Sequence, residues 1–312
     1  MDTASLVSLQ VVSLFLIMLI GYAGSLLGFI TKSAADGMSK LLVYVTNPLL
    51  VFTAFNQSAG NTRWGEMLTI IGASAIIHLA STVIALFLFR RKPARTANAL
   101  RFSVIFANCS YMGYPLLEAM FPTNGRFYGA CYVLFCTLYM WTAGVFMLSS
   151  GKKGSVGTAF KNAVLNPGVI AALLGVLFCM LGIKLPGVIG GALSSTANIT
   201  FPIAMLILGN MLKNAPLGKL LSDGSAYLAS VVRLVIIPLF VLLFCTLFNV
   251  AEGTTYICVI MAAIPVAAKT PILADNYGAD KDTALATVAI STLSSIVTIP
   301  FLIYITQLVM EL

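Results

Sequence analysis

The sequence predicts an all-α polytopic membrane protein. Ten transmembrane helices form two inverted five-helix repeats, and the fourth and ninth helices are broken. Three observations predict this. The chain of 312 residues is 59% hydrophobic and only 9% charged, against about 25% charged in an ordinary soluble domain. Its apolar residues fall into ten stretches, each near the ~20 residues that a helix needs to cross a bilayer. Two of those stretches place proline, glycine and polar residues where a spanning helix should be continuous. Interrupted backbone is tolerated inside a bilayer only where protein or a water-filled cavity satisfies it.

The predicted spans are roughly 6–30, 35–57, 65–89, 97–121, 126–148, 163–183, 188–212, 223–249, 254–277 and 283–310. Met1-Asp2-Thr3-Ala4-Ser5 leads into the first without the basic region of a cleaved signal peptide, so that stretch reads as a mature helix. Lys and Arg set the orientation. With the N-terminus outside, the cytoplasmic loops hold 13 of the 18 basic residues, Arg90, Arg91, Lys92, Arg95 and Arg101 among them. The outer loops hold Arg63, Arg126 and Lys184, while Arg233 and Lys269 fall within spans. Both termini are therefore expected outside the plasma (inner) membrane.

The net charge of +8 is then a consequence of topology, and the Arg90–Arg95 cluster reads as a cytoplasmic stop signal rather than a nucleic-acid patch. The expected surroundings are the lipid bilayer, with no nucleic acid. Cys109, Cys131, Cys136, Cys179, Cys245 and Cys258 all lie in apolar segments, without metal-site or disulfide spacing. They read as small packing residues. No cofactor and no metal is expected.

The halves match weakly at a nearly fixed offset. Leu27-Gly28 matches Leu181-Gly182 and Thr46-Asn47-Pro48-Leu49 matches Thr200-Phe201-Pro202-Ile203, both at 154 residues. Tyr114-Pro115-Leu116-Leu117 matches Thr270-Pro271-Ile272-Leu273 at 156. The Gly/Ser/Lys stretch Ser149–Gly157 reads as a cytoplasmic linker, giving repeats over 1–151 and 162–312. Five spans per half is an odd number, so the second half enters from the opposite side. Substrate sites in such folds lie near the midplane at the repeat interface.

The first break is Asn108-Cys109-Ser110-Tyr111-Met112-Gly113-Tyr114-Pro115 and the second Ala263-Ile264-Pro265-Val266-Ala267-Ala268-Lys269-Thr270-Pro271. A restarted helix leaves N–H groups unpaired, and these favour an anion. Half-helices starting near Pro115 and near Thr270 would aim two such ends at one point. The substrate-binding candidates are Asn108, Ser110, Gly113, Pro115, Pro265, Lys269 and Thr270, with Asn47 facing them from the second span. The alternative is a pair of proline kinks with no ligand role.

Lys269 lies some 15 residues past the outer end of its span. A cation at that depth costs several kcal/mol unless paired or hydrated. It could counter an anionic substrate, or stand as a fixed or titrating cation in place of a coupling sodium ion. It could instead snorkel to the cytoplasm or pair with Asp275. Lys269, Asp275 and His78 are the coupling candidates. His78 and Arg233 occupy mid-span positions related by an offset of 155. His78 reads more simply as a histidine hydrogen-bonded within the bundle, Arg233 as a structural or hinge residue, and Glu118 as an outer-mouth residue.

At these residues the chain resembles the auxin efflux carrier family of transporters, whose bacterial members include malate and malonate carriers. The run Asn108–Phe121 is similar to the family's fourth-helix crossover, and Ile264-Pro265 through Leu273-Ala274-Asp275-Asn276-Tyr277-Gly278 to its ninth-helix crossover. Asn166-Pro167, Phe201-Pro202-Ile203-Ala204 and Arg233 through Pro238 also fit. The resemblance covers essentially the whole chain. It implies a fold related to bile-acid sodium symporters. Spans 1, 2, 6 and 7 would be a scaffold domain, and spans 3–5 and 8–10 a transport domain that moves as an elevator, in a homodimer. It implies that Asn108 contacts a substrate carboxylate. Many bacterial relatives have asparagine where this chain has Lys269, and neither crossover offers a set of acidic and amide ligands for sodium.

The expected function is secondary active transport of a small organic anion, a mono- or dicarboxylate of malate, malonate or auxin type. An anion channel or uniporter on the same breaks, and a non-transporting sensor, are the alternatives. No H-E-x-x-H, G-x-S-x-G or nucleotide-binding loop is present in the sequence, so neither an enzyme nor an ATP-driven pump is expected.

Overall fold

The computed structural model describes residues 3–60, 63–149, 165–215 and 217–311. The expected linker beyond Ser149, with Lys152, Lys153 and Lys161, lies outside them. The described residues are helical throughout, apart from connections and one isolated antiparallel bridge. The helices are α1 Thr3–Leu26, α2 Lys32–Gln57, α3 Trp64–Leu88, α4 Ala94–Ile105, α5 Tyr114–Met120, α6 Gly125–Leu148 and α7 Pro167–Met180. They continue with α8 Gly187–Lys213, α9 Leu217–Ser222, α10 Gly224–Leu247, α11 Glu252–Ala263, α12 Thr270–Tyr277 and α13 Lys281–Met310.

Seven of these (α1, α2, α3, α6, α8, α10 and α13) are long and apolar enough to cross a membrane, and α7 and α11 are apolar but shorter. Their outward faces carry large apolar side chains such as Leu19, Ile20, Val83 and Leu243, all more than half exposed. Such broad apolar exposure suits hydrocarbon, not water.

Local chemistry explains the ends and irregularities. Asn166 caps α7 by accepting from the N–H groups of Gly168 and Val169, with Pro167 at the first helical position. Asp223 and Asp280 cap α10 and α13 in the same way. Gly28 after α1 and Gly182 after α7 both adopt left-handed backbone, with φ of 80° and 67°. Only glycine does this without strain. The Leu-Gly pairs matched in the sequence are thus equivalent helix stops.

Four helical stretches widen into a π-turn: Leu42–Thr46, Cys109–Gly113, Met140–Gly144 and Val232–Ile236. Three of them end two residues before Pro48, Pro115 and Pro238. A proline ring clashes with the carbonyl four residues earlier and removes a donor. A widened turn relieves that clash without ending the helix.

Packing between long helices uses small residues. A Cβ at Gly209 would collide with the backbone of Met18 and Tyr22, and one at Gly21 with the backbone of Leu206, so α1 and α8 touch backbone to backbone. A Cβ at Gly175 of α7 would lie 3.1 Å from the Phe55 side chain and 3.2 Å from the Phe52 backbone of α2, a tight but less severe approach.

Candidate functional site

Two interrupted helices cross here. After α4 ends, Phe106 turns extended at φ −106°, ψ 115°; after α11 ends, Ile264 does so at φ −63°, ψ 138°. The extended pieces pair antiparallel, Ala107 against Val266. The N–H of Asn108 donates to Pro265 O at 2.8 Å and that of Ala267 to Phe106 O at 3.0 Å. Ser291 Oγ of α13 accepts from the N–H of Val266 at 3.2 Å. Each break therefore satisfies part of the other's exposed backbone.

The first break opens at Phe106–Asn108, at the front of the Asn108–Pro115 stretch that the sequence marks, and the half-helix expected near Pro115 is α5, from Tyr114. The pairing across to the second break stops α4, and helical backbone resumes at Cys109 as a π-turn that runs into α5. Pro115 occupies the first turn of α5, as Pro271 does in α12.

Arg233 sits at the meeting point, 1% exposed. Its guanidinium donates to Ile264, Met261 and Ala262 O at 3.1, 3.3 and 2.8 Å, and to Val104 and Ile105 O at 3.2 and 3.5 Å. These are the last carbonyls of α11 and α4. One planar cation thus caps the C-terminal ends of both first half-helices, where the macrodipole leaves partial negative charge.

The second half-helices present the opposite ends. Among the described residues, the N–H groups of Cys109, Ser110, Ala268 and Lys269 make no hydrogen bond. Lys269 is the residue before α12. Its side chain lines a cavity of about 40 Å³ with Tyr111, with Ser39, Leu42 and Val43 of α2, and with Ala204, Ile207 and Met211 of α8. No carboxylate among the described residues lies within 4 Å of its ammonium. Asp275 does not pair with it: Asp275 holds Lys281 at 2.7 Å on the exposed surface, two turns of chain away. The half-buried Lys269 side chain lies between α2, α8 and the crossing.

Of ten buried polar side-chain atoms without a partner among the described residues, five lie at helix breaks or π-turn ends: Thr46 Oγ1, Asn47 Oδ1, Asn108 Nδ2, Tyr114 OH and Thr270 Oγ1. An unsatisfied buried group costs about 1–3 kcal/mol, so this concentration marks the breaks as polar sites. The other sequence candidates fall as follows. Ser110 is half-buried. A Cβ on Gly113 would fall 2.6 Å from Met261 Sδ, which gives this glycine a packing role. Asn47 turns its amide nitrogen toward Gly168 at the start of α7.

His78 is 2% exposed. It bonds Ser74 O of its own helix at 2.7 Å and lies among the rings of Phe106, Tyr132, Phe135 and Tyr139. Glu118 pairs with Arg126 at 2.6 Å.

Sequence reasoning missed Tyr111, Ser39 and Ser291. Ser291 had a legible signal: Thr283, Thr287, Ser291 and Ser295 recur every four residues on α13, and all are at most 2% exposed. A buried stripe of hydroxyls at helical spacing marks a face turned to other polar backbone. Tyr111 and Ser39 had none, since only the packing of α2 and α8 on the crossing brings them to Lys269.

Broken helices crossing inside an apolar bundle define a membrane transport protein rather than an enzyme. The profile of the family described as "Membrane transport protein" matches residues 6–159 and 155–303. The chain belongs to this family, the auxin efflux carrier family that its crossover motifs resemble. It is 27% identical over 302 residues to an "Uncharacterized transporter" of Methanothermobacter thermautotrophicus, covering 93% of this chain and 95% of that protein. It is 23% identical over 296 residues to a "Putative malonate transporter" of Rhizobium meliloti, covering 89% and 91%.

Proposed function

We propose that this protein is a secondary carrier of small organic anions, mono- or dicarboxylates, which bind at the crossing between Lys269, Asn108 and Thr270. One observation carries the reading. Lys269 is a cation without a carboxylate partner among the described residues, beside unbonded N–H groups and orphaned side-chain polar atoms. The ammonium, the N–H groups and Asn108 Nδ2 are donors, which favour an anion, and none needs a metal. The name of the Rhizobium meliloti relative points to the same substrate class.

The reading extends to the architecture. Ten crossings in two inverted repeats place the breaks face to face. Support comes from the equivalent glycine stops at Gly28 and Gly182 and the equivalent prolines at Pro115 and Pro271. Helices α1, α2, α7 and α8 would be the scaffold, with both termini outside the plasma membrane and a second copy as partner. A cavity of about 40 Å³ has room for a water or two, not a dicarboxylate. Substrate therefore requires α2 and α8 to part from the crossing, as an elevator movement of the remaining helices would do.

The test is uptake and counterflow of labelled malonate and other carboxylates in proteoliposomes. Wild-type protein should show saturable uptake accelerated by unlabelled substrate inside, and Lys269→Met should lose it while still folding. Wild-type uptake by Lys269→Met would refute the assignment. Flux without trans-stimulation would mean a channel.

A further inference from the structure

A cavity of about 510 Å³ opens between α3, α4 and α6, and Lys269 does not line it. Arg101 is the charged residue in its wall, beside Asn98 and Tyr139, while Leu86, Phe146 and Met147 form its apolar side. Arg101 lies seven residues into α4, a depth of about 10 Å at 1.5 Å per residue. That is where a headgroup meets acyl chains when a helix starts at the membrane surface.

The guanidinium is poorly satisfied. Nη1 reaches Asn98 Oδ1 and Nη2 reaches Phe89 O, both at 3.4 Å. Nε is buried without a partner. Among the described residues no carboxylate lies within 4 Å. A guanidinium has five donors in a fork that fits phosphate, and a charge at this depth needs an opposite one. Leu86 and Phe146, each 45% exposed, carry the apolar wall outward to the lipid-facing surface.

We propose that this cavity binds the phosphate head of an anionic phospholipid, with Arg101 as counter-charge and the acyl chains leaving past Leu86 and Phe146. A free phosphate would satisfy the same fork but leave the apolar wall uncovered. Lipid covers both.

The experiment is native mass spectrometry of the full chain in neutral detergent with phosphatidylglycerol or phosphatidylcholine, beside a thermal-shift titration with inorganic phosphate. Phosphatidylglycerol should be retained and phosphatidylcholine not. Arg101→Gln should weaken retention about tenfold, the loss of one charge-assisted contact. Ala143→Leu fills the cavity from the opposite wall and leaves the guanidinium in place, so it should weaken retention similarly even if Arg101→Gln fails to fold. Arg90→Gln, on the loop where Arg90 lies 4.5 Å over the Phe87 ring, should change little. Equal retention of both lipids, or unchanged retention in Ala143→Leu, would overturn the proposal. So would loss in Arg90→Gln alone, which would place the lipid on the basic loop. Stabilisation by inorganic phosphate without lipid retention would overturn it in favour of a free-anion site.

Discussion

The N–H of Asn108 donates to the carbonyl of Pro265 across 2.8 Å, which ties the first helix break to the second. The backbone of Asn108 is thereby committed to the fold, while its side-chain Nδ2 is buried and has no partner. One residue splits into a structural half and a free half. That split governs what substitutions should do.

Asn108→Ala keeps the backbone bond and removes only the unpaired amide. Substrate affinity should fall about tenfold, the worth of a hydrogen bond to a charged group, with a melting temperature within a few degrees of wild type. Isothermal titration with malonate and a thermal melt in detergent check both halves. A large drop in stability with unchanged affinity would make the amide structural.

Arg233→Met should have the opposite signature. It strips the carbonyls of Val104, Ile105, Met261, Ala262 and Ile264 of their donor in a buried site. The loss should be about 3 kcal/mol or more, read as a lowered melting temperature. Lysine offers one ammonium instead of a fork and should recover only part of it. An unchanged melt in Arg233→Met would show that the capping adds nothing.

Gly209→Val should prevent folding, because a side chain there must push α8 off the backbone of α1. Gly37→Ala is the contrast: nothing lies within 4 Å of its added Cβ. That change should be neutral or stabilising by up to about 1 kcal/mol through helix propensity. Monodispersity by gel filtration reads both outcomes.

All six cysteines are buried and outside any disulfide. Maleimide should label close to none of them in folded protein and all six after denaturation, counted by intact mass. Rapid labelling of Cys109 or Cys136 under native conditions would contradict a packing role for these thiols.

The prolines, the Leu-Gly stops and the run lengths were legible because each acts through its own neighbours. Pro115 and Pro271 restart helices, and Gly28 and Gly182 end them, by local backbone sterics alone. The cause of the first break was not legible in this way. The sequence marks the stretch Asn108–Pro115, but α4 stops at Ile105 because residues some 160 positions later pair with Phe106 and Asn108.

The sequence by itself determined the apolar helical class, the family, the two interruptions and the lysine in the second. Tertiary structure alone decided which groups meet there. It gave Asp275 to Lys281 and left Lys269 facing α2 and α8. It also set Arg233 against Val104, 129 residues away. The physical reason is range. Capping and helix propensity act within a turn or two, whereas the partner of a buried charge depends on which distant helices pack together.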